Sequence, residues 1–306
     1  MISEKIIVGK DTEYPLNGIL TLPDNLDNKV PAVVLVHGSG ASNMDEKVMK
    51  LRPFKDIAEG LSHEGIAAIR YDKRTYAHAR KLRHVEPTVK EETIEDAIRA
   101  AELLKQDPRI DENRIFIVGH SMGAMLAPRI DSECGYFKGL IMLAGTPYRL
   151  EDIVVRQLKQ AGNSGGFLMK KIVDLESRIY GKRFDNLYEM SDEEAKKKKF
   201  AGNLSLYYFK EMGQKTAGDY LLESEKPVLI MQGGKDFQVL KEEDFDGFKQ
   251  ILKNRNNVSY KLYDDLNHVF VKGIYNDITK ASKEYSVPQH VDVRVIKDIA
   301  EFIHSN

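Results

Sequence analysis

Short runs of β-branched and other apolar residues alternate along this chain with longer stretches in which apolar positions recur every three to four residues. Ala32 to Val36, Ile66 to Arg70, Ile115 to Val118, Leu140 to Ala144, Val228 to Gln232 and Val258 to Tyr263 are the candidate strands. The first four are separated by helix-length stretches. The alternation therefore predicts an α/β fold: a mostly parallel sheet with helices on both faces. In the stretch Thr88 to Lys105, the positions Ile94, Ala97, Ile98, Ala101 and Leu104 fall on one helical face, and Thr88 with Glu91 makes a capping box. Lys5 to Val8 and Gly18 to Leu22 lie too close together for an intervening helix and predict an antiparallel lead-in hairpin.

From about Pro147 to Leu222 the alternation gives way to helical, highly charged sequence. Residues 147–222 are therefore expected to form a helical cap inserted between two strands of a core domain made of residues 1–146 and 223–306. Within it, Asp192-Glu193-Glu194-Ala195 followed by Lys196 to Lys199 reads as a solvated helix face rather than a docking patch. Phe167, Met169, Tyr180, Phe184, Tyr188, Tyr207, Tyr208, Phe209 and Met212 punctuate the same segment. Most are expected to pack a small core of the cap's own. Some are expected to face a ligand site, because the segment leaves the sheet at its carboxyl edge, where open α/β sheets bind ligands.

A chain of 306 residues is long enough to bury an extensive core and a sizeable pocket. The formal net charge of −1 gives no reason to expect nucleic acid or an anionic membrane as partner, and a small, weakly charged substrate fits better. The single cysteine, Cys134, rules out an intramolecular disulfide and a cysteine-based metal site, and reads as an inert, partly buried thiol. Met1 to Lys10 has no long apolar core, and nowhere do about eighteen apolar residues run together, so a soluble cytoplasmic protein is expected. The cap aromatics could seal a monomer's pocket or bury themselves in a homodimer contact.

The chemistry is concentrated at three strand ends. Gly119-His120-Ser121-Met122-Gly123 follows the apolar run Ile115 to Val118 and has the form of a nucleophile elbow. A serine on so sharp a strand-to-helix turn needs small neighbours on both sides, and Gly119 and Gly123 supply the clearance. The turn lifts the Ser121 hydroxyl out of the sheet and aims the amide of Met122 at whatever that hydroxyl attacks. A serine is barely nucleophilic at neutral pH, so it needs a base and a carboxylate that fixes the base's tautomer. Asp236 follows Gly233-Gly234-Lys235 at the end of Val228 to Gln232, and His268 lies in a polar loop after Val258 to Tyr263. Asp264 and Asp265 are rivals for the acid, but they precede His268 in its own loop and would struggle to reach its far nitrogen.

Of the other histidines, His63, His78, His84, His290 and His304 lie in helical or charged surface stretches, and His37 and His120 belong to the turns that build the site. The His120 ring is expected to point away from the elbow tip as a packing or hydrogen-bonding group. His37-Gly38-Ser39-Gly40 can aim backbone amides at a substrate carbonyl; Ser39 is the better donor and Gly40 the lesser one, with Met122 as the other half of an oxyanion hole. The same loop lacks the lysine and spacing of a P-loop and the third glycine of a dinucleotide fingerprint. A histidine base must be neutral to act, so activity is expected to rise with pH through the ordinary histidine range, about 6.5.

With Val34 to Gly40, Arg70-Tyr71-Asp72-Lys73-Arg74, Arg114 to Gly123, Gln232 to Val239 and Leu266-Asn267-His268 in place, the chain resembles the α/β-hydrolase superfamily over nearly its whole length, and within it small bacterial carboxylesterases. Serine, acid and histidine also follow one another in that superfamily's chain order. The resemblance implies hydrolysis of short acyl esters through an acyl-enzyme by Ser121, His268 and Asp236, with no metal and no organic cofactor, and a small-molecule ester as substrate. Related branches include thioesterases, acyltransferases and aminopeptidases. Two stretches depart from the pattern. Thr75-Tyr76-Ala77-His78 replaces glycines, and Ala41-Ser42-Asn43-Met44 replaces a proline-containing continuation, so the loops beside the acyl pocket are expected to differ in shape.

Three rival readings stay open. A peptidase or amidase on the same scaffold would bind a free amino terminus through acidic cap residues such as Glu151, Asp152 or Glu211. An acyl-CoA thioesterase would meet nucleotide phosphates through Lys170 and Lys171. A noncatalytic scaffold would keep the fold alone.

Overall fold

The computed structural model describes residues 1–163, 181–201, 204–275 and 277–306. The lead-in strands β1 (Ile2–Val8) and β2 (Leu16–Leu22) pair antiparallel, and β2 pairs antiparallel with β4 (Ala67–Tyr71). From there the ladder is parallel through β3 (Val30–Val36), β5 (Ile110–His120) and β6 (Gly139–Leu143). It passes β7 (Lys199–Ala201) and β8 (Leu204–Ser205), which pair only with each other, and ends with β9 (Val228–Gly233) and β10 (Val258–Tyr263). The order in the large sheet is β1-β2-β4-β3-β5-β6-β9-β10. This is the mostly parallel α/β sheet that the alternation predicts.

Because side chains alternate across a strand, each central strand serves two cores. Val33, Leu35, Phe116, Val118, Ile141 and Leu143 face one side. There they meet α1 (Pro53–His63) and the C-terminal helix Val293–Ser305, whose Phe54, Ile57, Leu61, Val295, Ile299 and Ile303 recur at helical spacing. Val34, Val36, Ile117, Leu140 and Met142 face the other side. They pack on α3 (Glu95–Gln106) and α4 (Met122–Cys134), which follow the short helix α2 (Arg74–Ala77) in the chain. The expected face of α3 is buried through Ile94, Ala97, Ala101 and Leu104. Its entry differs in detail. Glu91 accepts from both the amide and the hydroxyl of Thr88, but the first turn, Lys90–Ile94, is wound wider than an α-helix before α3 begins.

Between β6 and β9 lie the described helices α5 (Leu150–Asn163), Asp192–Lys197, Leu206–Gly213 and Ala217–Glu223. Among the described residues this segment does not close a core separate from that of the sheet, contrary to expectation. Leu187, Leu206, Phe209, Met212 and Leu221 join the same apolar cluster as Met122, Met125 and Leu126 of α4. The reason is physical: α4 presents flexible methionines on a face that would otherwise meet water, and the segment covers it. Phe167, Met169, Tyr180 and the lysines at 170 and 171 lie outside the described residues. Lys196 to Lys199 are exposed, and Lys196, Lys198 and Lys199 pair with Glu193, Glu194 and Glu86, Lys198 at 2.7 Å, as expected of a solvated face. Among the described residues no helix is long and apolar enough to cross a membrane.

Candidate active site

β5 runs further than its apolar stretch implies, since Gly119 and His120 still pair with Met142 and Leu143 of β6. The parallel ladder thus carries the chain to the very base of the elbow. Ser121 stands alone between strand and helix at φ 53° and ψ −117°, a conformation that costs a side-chain-bearing residue roughly 1–3 kcal/mol and persists only where the surroundings enforce it. They do so here. The Ser121 amide donates to Leu143 O at 2.8 Å, and the two glycines leave no alternative. A Cβ on Gly119 would stand 2.3 Å from the Gly123 carbonyl oxygen, and one on Gly123 would stand 2.1 Å from the carbonyl oxygen of Val36. Among the described residues the Ser121 hydroxyl takes part in no hydrogen bond.

The His37–Gly40 turn abuts the elbow from the end of β3. A Cβ on Gly38 would be 3.2 Å from Cβ of Ser121. The turn is tied down on every side: the Gly38 amide donates to Glu46 Oε1 at 2.8 Å, Lys73 Nζ donates to Gly38 O at 2.9 Å, and Lys73 N donates to Ser42 O at 3.0 Å. Among the described residues the amides of Ser39, Gly40 and Met122 have no acceptor, which leaves them available to an anion.

His37 is buried between the rings of Phe54 and Tyr71. Burial, with some help from the nearby Lys73 cation and against the pull of Glu46, lowers its pKa to about 4. A group whose folded pKa is depressed in this way contributes stability that is complete above its unfolded value of about 6.5 and is lost as pH falls toward 4. We expect about 3 kcal/mol of unfolding free energy to disappear over that window from this residue. Urea titrations from pH 7 to 4 on the parent and on His37→Gln would check it: the variant should lose less stability across the window, and identical slopes would contradict the assignment.

The other two strand ends meet beside the elbow. His268 Nδ1 lies 2.7 Å from Asp236 Oδ2, with both side chains buried. Asp236 is fully occupied as an acceptor. Its Oδ1 accepts from the amides of Gln238 and Val239 at 2.7 and 3.0 Å, and its Oδ2 also accepts from Gln232 Nε2 at 3.1 Å. The His268 loop is fastened by Asn267, whose Oδ1 accepts from the amides of Val269 and Val271 and whose amide donates to the buried Glu284. Asp265 does not compete, being engaged with Arg294 at 2.9 Å through both oxygens, and Asp264 is exposed. His63, His290 and His304 are exposed, and His78 meets Tyr14 edge to face with Nε2 at 2.9 Å from Pro15 O. The side chain of His84 lies outside the described residues.

Two buried polar connections were not anticipated from sequence. His120 is a buried hydrogen-bonding residue, as expected: its Nε2 donates to the carbonyl oxygen of His268 at 3.0 Å while the two rings sit 4.8 Å apart. Its Nδ1 lies 3.0 Å from Glu46 Oε1, an ion-pair contact too oblique to count as a hydrogen bond. Burial opposes charge on both partners. The attraction between them outweighs it, raising the His120 pKa and lowering that of Glu46. One imidazole therefore links the elbow, the His37–Gly40 turn and the His268 loop. The second connection runs from Lys73 through Glu92 to Tyr208. Glu46 sits in a polar stretch without periodicity and Glu92 falls off the apolar face of its helical pattern, so nothing in the sequence marks them as buried.

A cavity of about 450 Å³ opens onto Ser39, Gly40, Ser121 and Met122. Leu150, Ile153, Val154, Leu204 and Phe209 from the β6–β9 segment give it apolar walls, with Glu92 and Tyr208 as polar groups among them. His268 and Asp236 do not line it. The arrangement offers the half-buried Ser121 hydroxyl, free amides beside it, and room for an apolar ligand group.

Comparison with known proteins places this geometry in a wider setting. The chain is 35% identical over 288 residues to Esterase EstD of Thermotoga maritima, covering 94% of this chain and 65% of that protein, so it spans under two thirds of the relative's length. In fold it is similar to Est1E from Butyrivibrio proteoclasticus, at 15% identity and a TM-score of 0.58, with 99% of each chain covered. It is likewise similar to an esterase of Pyrococcus furiosus, at 16% identity and a TM-score of 0.60, covering 99% of this chain and 91% of that one. The family model described as serine aminopeptidase, S33, matches residues 28–272, a span that takes in the elbow, the His37–Gly40 turn, Asp236 and His268. With most of its length inside that match, the chain belongs to the serine aminopeptidase S33 family and carries the α/β-hydrolase fold.

Proposed function

We propose that the protein is a serine hydrolase that cleaves short-chain carboxylic esters through an acyl-enzyme, with residues 147–222 as a cap over a core of residues 1–146 and 223–306. Ser121 is the nucleophile. His268 takes its proton through Nε2 as the alkoxide attacks the ester carbonyl, and Asp236 accepts from Nδ1–H, fixing the tautomer and stabilising the imidazolium. The amides of Met122 and Ser39 hold the oxyanion. His268 then returns the proton to the departing alcohol, and a water activated by the same imidazole releases the acid. One observation carries the reading. A serine held at positive φ by glycines that admit no Cβ faces an apolar cavity between amides that have no other acceptor. The relative named as an esterase supports the same substrate class.

The peptidase reading needs a carboxylate in the cavity for a substrate ammonium. Glu151, Asp152 and Glu211 are not among its lining residues, Glu151 is bonded to Tyr188, and Glu211 is engaged with Arg129 at 2.5 Å. Glu86 and Glu92 do line the cavity, but they are already paired with Lys199 and Lys73. Turnover of nitrophenyl esters, a peptide anilide and a short acyl-CoA compared side by side tests the choice. A preference for the anilide or the thioester would overturn it.

The walls also predict a trend. A cavity of about 450 Å³ lies within the range of about 300–1,000 Å³ typical of ligand sites and exceeds what an acetyl group fills. Each methylene buried in it contributes about 0.8 kcal/mol, or about fourfold in kcat/KM, so the constant should climb from acetate through butyrate to hexanoate. A flat series would show that the acyl chain binds elsewhere.

A further inference from the structure

The buried chain Lys73–Glu92–Tyr208 has no part in the proton transfers above, yet it ends on the turn that carries one of the oxyanion donors. Lys73 is only 2% exposed. Its ammonium donates to Gly38 O at 2.9 Å and pairs with Glu92 Oε1 at 2.7 Å. Glu92 Oε2 accepts from the Tyr208 hydroxyl at 2.8 Å, and that hydroxyl lies 3.5 Å from Sδ of Met122. Tyr208 comes from the Leu206–Gly213 helix of the cap and Glu92 from the wide turn before α3, so the chain runs from the cap to the turn in three contacts.

We propose that Lys73 is a positioning residue for the oxyanion hole, its ammonium aiming and polarising the Gly38–Ser39 peptide, and that Tyr208 of the cap, through Glu92, holds that ammonium in place. The inference rests on the reading of Ser39 as an oxyanion donor. A trans peptide is planar, with its carbonyl and N–H on opposite edges, so whatever grips the Gly38 carbonyl sets the direction of the Ser39 N–H. Lys73 grips that carbonyl, while Glu46 holds the Gly38 amide one peptide earlier. Ser39 itself lines the cavity beside Ser121 with its amide free among the described residues. A cation on the carbonyl also draws charge from the amide and makes its N–H a stronger donor, as in any polarised hydrogen-bond chain. Stability alone is a poor reason for the pair, because burying two charges largely cancels the attraction between them.

The test compares the parent with Lys73→Met/Glu92→Gln, which removes both charges together and so strands neither, and with Tyr208→Phe, which breaks only the link to the cap. Losing a whole oxyanion donor costs about 100- to 1,000-fold, so a misaimed and unpolarised one should cost less. We expect kcat of the double variant to fall about 10- to 100-fold with KM within about threefold. Affinity for a trifluoromethyl ketone, which forms a tetrahedral adduct, should fall by the same factor as kcat, while affinity for the corresponding alcohol stays level and Tm stays near the parent. Tyr208→Phe should show the same signature at smaller size. It decides the matter if the double variant does not fold: unchanged kcat and ketone affinity in Tyr208→Phe would then overturn the proposal. Turnover within twofold of the parent in a folded double variant, or an equal loss of ketone and alcohol binding, would also overturn it. A parent that neither turns over esters nor binds the ketone would instead sink the hydrolase reading.

Discussion

Replacing Ser121 with alanine is expected to lower ester turnover by about 10,000-fold or more without loosening the fold. Removing the nucleophile of such a constellation leaves only the rate that binding and oxyanion stabilisation give to an attacking water. The hydroxyl itself supports no packing, since it makes no hydrogen bond among the described residues. Its backbone does the opposite of supporting the fold. At φ 53° the residue is strained, so Ser121→Gly, which tolerates that conformation, should be equally inactive and more stable than the parent by about 1 kcal/mol. Steady-state rates with a nitrophenyl ester and thermal unfolding of the three proteins check both halves. Residual turnover of Ser121→Ala above about a tenth of the parent would remove Ser121 from the reaction.

Asp236→Asn is expected to cost about 10,000-fold in kcat with little change in KM. The surroundings dictate how. Oδ1 accepts from two backbone amides, so an asparagine will keep its oxygen there and turn its NH₂ toward His268 Nδ1 and Gln232 Nε2. That NH₂ donates to Nδ1 and forces the imidazole proton onto Nε2, the nitrogen that must be bare to accept from Ser121. It also leaves two donors facing each other at Gln232, which should lower stability by about 1–3 kcal/mol. Nitrogen chemical shifts of the His268 ring would show the exchanged tautomer directly. An Asp236→Asn protein with kcat near the parent's would mean that another group orients the base.

Much of this arrangement is readable in the chain because it depends on short-range constraints. Gly119 and Gly123 announce the elbow since no other residue fits there: an added Cβ would stand 2.3 or 2.1 Å from a backbone carbonyl oxygen. Asp236 and His268 stand out in the sequence because each follows a strand-forming run, the first buried and the second half-buried, whose carboxyl end must lie on the same sheet edge. Packing between distant segments is less legible. Phe209 and Met212 read as part of a private core of the cap, and only the fold shows that they share one cluster with Met125 and Leu126. Buried charge is the least legible. Glu46 lies in a stretch as polar as any surface loop and Glu92 on the polar side of a helical pattern, and each is buried against a partner from another element, His120 for one and Lys73 for the other. The reach of β5 into Gly119 and His120 likewise depends on pairing with β6, which no local pattern reports.

The central claim is that one hydroxyl at the end of β5 becomes nucleophilic because His268 and Asp236 act on it together. Intact-mass analysis after treatment with a fluorophosphonate, followed by peptide mapping, tests this most directly. The account predicts one phosphonyl group per chain, on Ser121, with ester turnover lost in step with labelling and with labelling slowed at least about 100-fold in His268→Ala. Full labelling at another residue, or a His268→Ala protein that labels on Ser121 as fast as the parent, would contradict it.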